Sequence, residues 1–511
     1  MKKNRIKFLI RQNVEKYFIF IIGIVFLITL IPRSVEVLNG NPVFGFDQGR
    51  EYLMTKDIVE NRNPILIGTP LGGGSAGFQG IFHGPVYYYL LAIPYILASG
   101  HPNGGTALMF VIGGLSLIVS FILGKKMLGN FGGVVLMLLV GMSPLFVAQS
   151  RFIWSPYPST LFALIAFYFI FAIKERKRNI FLASFLSAFI YNFELGIAIP
   201  MSIGLLIYSA YLFGKKIKPY IMLLLGFIFG LLPMLIFEIR HKFLGLFGMA
   251  DYLSKGLSTS KKGQESSMIF EHIRSFINNF KDTFPSLPFD LIFLFGVVLL
   301  FAFVYFLKSE KNKKLKQFLF FISFLPFLNF LILSFLRNTV YNYYLYHISL
   351  IYLIIFSYCI VRSSQKRALF ILLLIPLAVM TIFAVVKNYN MFIYDIKDYG
   401  GTAKLKGKID AIDYIYKDAK GKEFGLLVFS PPVYIYPYEY LVEWYGKKKF
   451  KYVPYDKKEG LFYLLMETDP QKPWSYNGWL ETVVKTGKIL DTIVLPSGFI
   501  IQKRISDTTN S

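Results

Sequence analysis

Along the first 390 residues the apolar positions do not alternate with polar ones; they form long runs separated by short basic clusters. A run of about 20 apolar residues wound as a helix crosses a hydrocarbon core of about 30 Å. Such runs lie at residues 17–31, 104–123, 131–148, 160–173, 180–213, 220–237, 291–307, 318–335, 343–361 and 368–386. The run at 180–213 suits a hairpin of two short helices turning near Asn192, Phe193 and Glu194, so the pattern predicts about eleven transmembrane helices. Residues 85–98 contain Pro94 and are too short to cross; they read as an interfacial or re-entrant helix.

After residue 387 the pattern changes. Helical spacing at 405–418 and 438–444 is interleaved with strand-like runs at 425–429, 460–466, 488–495 and 498–501. Mixed elements of this kind predict a small α/β domain at 388–511 behind a transmembrane domain at 1–387.

Short loops rich in Lys and Arg stay on the cytoplasmic side. Here they lie at 2–16, 125–126, 174–178, 215–218, 308–316 and 362–367. Chain joining two such loops crosses an even number of times. This parity places the N-terminus inside and puts residues 32–103, 149–158, 238–290, 337–342 and the tail outside. The first run is followed by Pro32-Arg33-Ser34-Val35, which is no small-residue cleavage site, so it is expected to remain as a membrane helix.

Composition adds one exclusion and removes one temptation. With 55% apolar residues and a mean hydropathy of +0.51, the chain is not an ordinary soluble globule. A net charge of +25 would suit nucleic acid, yet residues 388–511 carry only +3 of it. The remainder sits in and between the apolar runs, where cytoplasmic retention of basic loops accounts for it. The single Cys359 lies inside an apolar run and forms no internal disulfide.

Every candidate for chemistry falls on an outer segment. Phe46-Asp47-Gln48-Gly49-Arg50-Glu51 sets an acid and a base at i, i+3 just past the first run. A carboxylate at a membrane border is costly unless it is used. A helix starting near Glu51 and ending near Asn61 would favour negative charge on Asp47, which then serves as general base toward a hydroxyl, with Glu51 in support. His83, ahead of Gly84-Pro85, is a candidate phosphate partner supported by Tyr88, while Tyr87 and Tyr89 read as interface aromatics. Arg151 and Trp154, in Ser150-Arg151-Phe152-Ile153-Trp154-Ser155-Pro156, offer a fork for phosphate and a face for a sugar ring; snorkelling and anchoring are their plainer roles. Glu238, Arg240 and His241 end one run, and Arg337 and Tyr344 border others, which extends the candidate site toward a lipid phosphate. The chain has no P-loop, no dinucleotide-binding glycine pattern, no His-Glu-x-x-His, no Cys-x-x-Cys and no Asp-x-Asp, so no cofactor and no metal are expected.

The Phe-Asp-Gln-x-Arg-Glu segment, Gly84-Pro85-Val86-Tyr87-Tyr88-Tyr89-Leu90 and the Ser150 to Pro156 segment together resemble GT-C glycosyltransferases of the protein O-mannosyltransferase and aminoarabinose-transferase type. The resemblance covers roughly residues 1–390. It implies a polyprenyl-phosphate sugar as donor, a first-outer-loop carboxylate at the acceptor hydroxyl, and a prokaryotic plasma membrane as location. Carried over, Asp47 is the base, Arg50 its partner or a phosphate ligand, and Trp154-Ser155-Pro156 the second-loop contribution. Two positions depart: Gln48 stands where O-mannosyltransferases have Glu, and Ser155 where aminoarabinose transferases have an acid.

The expectation is a membrane enzyme that moves a sugar from lipid phosphate to a hydroxyl of a lipid, glycan or protein at the outer face, by inverting displacement. A flippase of lipid-linked sugars would need ionisable residues near the membrane midplane, and the apolar runs are nearly free of them. A polysaccharide polymerase or ligase is the other alternative.

Overall fold

The computed structural model describes residues 18–71, 80–258, 264–285, 287, 289–334, 340–431, 434–469, 471–472 and 474–506. Among them, seven helices are long and apolar enough to cross a membrane: Phe18–Asn39, Asn103–Met142, Leu195–Phe213, Asp290–Ser309, Lys313–Ser334, Asn342–Ser363 and Arg367–Lys397. Ile217–Gly230 and Leu232–Arg240, bent by 69° at their junction, make an eighth if counted as one span. The chain is a multi-pass membrane protein.

The element Asn103–Met142 is not one rod. Gly129 sits at φ 80°, a conformation closed to most residues, and breaks it in two. The arms then fold back closely: a Cβ on Gly124 would lie 2.6 Å from the Gly132 oxygen, and one on Gly133 2.8 Å from that of Phe121. Small residues allow this approach of backbones, and the expected runs at 104–123 and 131–148 form the two arms. The count of eleven does not follow from helix length. Ser159–Phe171 and Lys177–Phe189 have 13 residues each, about 20 Å of helix, against a core of about 30 Å.

Two shorter helices ride outside the spans. Phe46–Glu60 begins a turn earlier than its sequence suggested, because extended Gly45 donates its N–H to Gln48 Oε1 at 2.9 Å and closes the first turn. Val86–Leu97, with Pro94 inside it, buries Tyr87, Tyr88, Leu91 and Tyr95.

The tail contains a four-stranded sheet of β1 (Gly425–Phe429), β2 (Leu461–Met466), β3 (Lys488–Val494) and β4 (Ile500–Ile505) in the order β1-β2-β4-β3. β1 pairs parallel to β2, and β4 runs antiparallel to both neighbours. The parallel pair needs a crossover, which contains the short helix Tyr436–Leu441. The helix Leu405–Ala419 and the inner face of the sheet share a core with the segment that follows the first long helix: Ile412, Ile415, Tyr438, Leu441 and Tyr463 pack with Phe44, Tyr52, Tyr87 and Leu91. Backbone joins as well, Phe44 N–H to Ala403 at 3.0 Å and Leu405 N–H to Pro42 at 3.0 Å. The tail therefore rests directly on the loop that carries Asp47.

Candidate active site

The helix Phe46–Glu60 places Asp47, Arg50 and Glu51 in its first two turns. Arg50 donates to Asp47 Oδ1 at 2.7 Å, with the Asp47 side chain 33% and the Arg50 side chain 19% exposed. One turn separates them, so the pair forms locally. Gln48 points the other way, is buried, and donates to the Ile153 carbonyl at 2.7 Å, which ties this helix to the Arg151–Pro156 loop. The two sequence motifs thus meet in space.

Glu51 is fully buried behind the Asp47–Arg50 pair. It accepts from the Tyr87 hydroxyl at 2.8 Å and from the Ser155 N–H at 3.3 Å. Burial pushes its carboxyl up to about 8; the nearby Arg50 charge opposes this and that of Asp47 adds to it. At neutral pH Glu51 is largely protonated, a neutral support rather than a second base. Tyr87, read from sequence as an interface aromatic, is instead a buried partner of this carboxyl.

His83 sits beside the same cation. Burial, then the Arg50 charge, lower its imidazole to about 4 against a hydrogen bond to Tyr191 that raises it. It is neutral at physiological pH and brings a ring nitrogen, not a positive charge, to any phosphate. Tyr88 is buried against Arg50, and burial raises its hydroxyl while Arg50 opposes that rise. Asp47, Arg50, Glu51, His83 and Tyr88 thus converge, with Arg50 at their centre.

The other expected residues have separate surroundings. The Arg151 guanidinium forks onto Glu36 at 2.7–3.1 Å and also pairs with Asp395. Two carboxylates already satisfy this cation, which clamps the end of the first long helix to the end of the last one. Glu238 is buried and accepts from Gly245 at 3.1 Å and Leu246 at 3.3 Å, capping the helix Leu244–Ser258. His241 stacks on Phe237 at 4.2 Å, and Arg240 is exposed on the same helix end. Phe237 meets Phe82 at 5.9 Å, so this corner approaches His83 without joining the Arg50 cluster. Arg337 lies outside the described residues.

Trp154 faces a tyrosine group. Its ring lies 4.9 Å from Tyr343, which in turn stands 4.5 Å from Tyr344. Beneath them is Glu194, which caps the helix Leu195–Phe213 through Gly196 N–H at 2.9 Å. Burial raises its carboxyl to about 8. In the sequence Glu194 marks a turn, and a carboxyl between two apolar runs is itself a signal of use. Nothing near Glu36 or Asp395 in the sequence points to Arg151. Among the described residues, no three His, Cys, Asp or Glu side chains gather as metal ligands.

No family model matches the chain, and no curated protein matches its sequence. Its fold, however, matches solved structures. ArnT from Cupriavidus metallidurans, bound to undecaprenyl phosphate, superposes with a TM-score of 0.54 at 10% identity over 96% of this chain and 98% of that one. The fold is that of GT-C glycosyltransferases. The apo form of ArnT aligns with the same TM-score at 12% identity and the same coverage. The Archaeoglobus fulgidus oligosaccharyltransferase, in complex with Zn and sulfate, aligns with a TM-score of 0.54 at 14% identity over 94% of this chain and 72% of that one. At such identities the GT-C likeness speaks to architecture, and the roles of individual residues rest on the geometry above.

Proposed function

We propose that this chain is a glycosyltransferase that moves a sugar from a polyprenyl-phosphate donor to a hydroxyl acceptor at the outer membrane face. The observation that carries this reading is the Asp47–Arg50 pair, partly open to solvent on a loop helix of a GT-C fold. The lipid phosphate bound to ArnT supports the donor class. Charge placement in the loops supports a cytoplasmic N-terminus and an outer tail.

In the proposed step the acceptor oxygen attacks the anomeric carbon from the face opposite the phosphate. The new C–O bond forms as the bond from the anomeric carbon to phosphate oxygen breaks, and Asp47 takes the acceptor's proton. The departing polyprenyl phosphate carries the developing negative charge, which a nearby cation stabilises. Arg50 is the cation at hand, with exposed Arg240 and His241 at the neighbouring corner. Arg151, held by Glu36 and Asp395, acts instead by fixing the loop that presents Trp154 and Ser155. Neutral Glu51 and His83 keep competing charge away from Asp47.

The test is Asp47→Asn. The variant keeps shape and hydrogen bonding but loses basicity, so transfer from a radiolabelled polyprenyl-phosphate sugar should fall about 10² to 10⁴-fold with donor binding retained. Near-normal transfer by purified Asp47→Asn would overturn the assignment.

A further inference from the structure

The tail brings an aromatic surface to the edge of the Asp47 site. Between β1 and β2 the chain reads Tyr434-Ile435-Tyr436-Pro437-Tyr438-Glu439-Tyr440. Two of these tyrosines have a structural purpose. Tyr438 is buried and donates to Glu467 at 2.5 Å, and Tyr440 is buried and donates to the Gly100 carbonyl. The other two face outward. Tyr434 is 57% exposed and Tyr436 half-buried, and among the described residues neither side chain makes a hydrogen bond.

Their rings form an offset stack that leaves Tyr434 open to solvent, and this stack with Phe46 makes an aromatic shelf beside the site. Tyr434 and Tyr436 lie 5.5 Å apart at 14°, and both meet Phe46, at 5.4 and 5.3 Å. The Arg50 guanidinium stands over Phe46 at 5.2 Å and reaches Asp47 at 2.7 Å. The shelf thus runs without a gap from the tail to the carboxylate. It is held by backbone, since Pro437 rests against Gly49 so closely that a Cβ there would lie 2.6 Å from the Pro437 Cα.

We propose that Tyr434 and Tyr436 form the acceptor subsite and that the acceptor is a carbohydrate, its pyranose ring laid on the outward face of the stack with a hydroxyl toward Asp47. This rests on the transferase reading above and names its acceptor class. The negative face of an aromatic ring attracts the positive C–H face of a sugar. Tyrosine supplies that area at low entropic cost, which is why exposed, rigidly held tyrosines mark binding surfaces. A polypeptide acceptor presenting Ser or Thr would have no such C–H face to lay on the exposed ring of this stack.

The test uses the full chain in nanodiscs, with saturation-transfer NMR on methyl pyranosides of mannose, glucose, galactose and N-acetylglucosamine, and on a Ser/Thr peptide. At least one pyranoside should show ring C–H saturation that falls about tenfold in Tyr434→Ala with Tyr436→Ala and survives in the double Phe variant. Thermal melting of the Ala variant should match wild type, since neither tyrosine is in the core. No pyranoside signal, a signal unchanged in the Ala variant, or a signal from the peptide alone would overturn the subsite. Tyrosine-dependent pyranoside contact in a protein that turns over no polyprenyl-phosphate sugar would leave the carbohydrate site standing and remove the transfer reading.

Discussion

Gly49→Ala tests whether the tail and the Asp47 helix are in backbone contact. A Cβ at this position would fall 2.5 Å from the Tyr436 carbonyl carbon and 2.6 Å from the Pro437 Cα. Carbon atoms rest at about 3.5–4.0 Å, so the helix Tyr436–Leu441 must retreat by about 1 Å. It cannot do so freely, because its own Tyr438 and Tyr440 are buried on the far side of the contact, tied to Glu467 and Gly100. Two effects oppose each other. Alanine in a helix interior gains about 1 kcal/mol over glycine, while overpacking against a fixed partner costs about 1–3 kcal/mol. Contact with backbone rather than a movable side chain puts the cost at the upper end, so net destabilisation of about 1–2 kcal/mol is expected. Gly23→Ala is the control, because a Cβ there meets nothing within 4 Å. Thermal unfolding in nanodiscs should show Gly49→Ala melting a few degrees below wild type and Gly23→Ala at or above it. Transfer activity should fall in Gly49→Ala as the shelf moves from Asp47. An unchanged or raised melting temperature in Gly49→Ala would refute the close approach.

Glu51→Gln addresses the buried carboxyl. Between pH about 4.5 and about 8 the folded protein holds a proton on Glu51 that the unfolded chain releases, so wild-type stability declines as pH rises through that window. The full effect is about 5 kcal/mol at most; Gln, which does not titrate, should gain relative stability from pH 5 to 8, and parallel melting curves would contradict the assignment. Arg151→Ala leaves Glu36 and Asp395 facing each other without a cation and should destabilise by about 3 kcal/mol. Combining Arg151→Met with Glu36→Gln should recover part of that loss in a double-mutant cycle, and simple additivity would argue that the clamp is not an energetic unit.

Membrane character was legible because hydrocarbon makes a local demand. Each crossing helix must be apolar along its own length, so the runs at 318–335, 343–361 and 368–386 are readable without knowledge of their neighbours. Tail strands were readable for a similar reason, as in β1 and β2, where short apolar runs end at Gly, Pro or polar residues. The Asp47–Arg50 pair was also local, three residues apart on one helix. What a charge does there is not local. Arg151 reads as a free cation until Glu36, 115 positions away, and Asp395, 244 away, are seen beside it. Glu51 and His83 carry no mark in sequence of the burial that leaves one protonated and the other neutral. Tyr434 and Tyr436 lie almost 390 residues from Phe46 and reach it only because the tail docks on the first loop. Hydropathy is a property of a segment, whereas protonation and pairing depend on distance and dielectric. Those are set only when distant parts of the chain pack together.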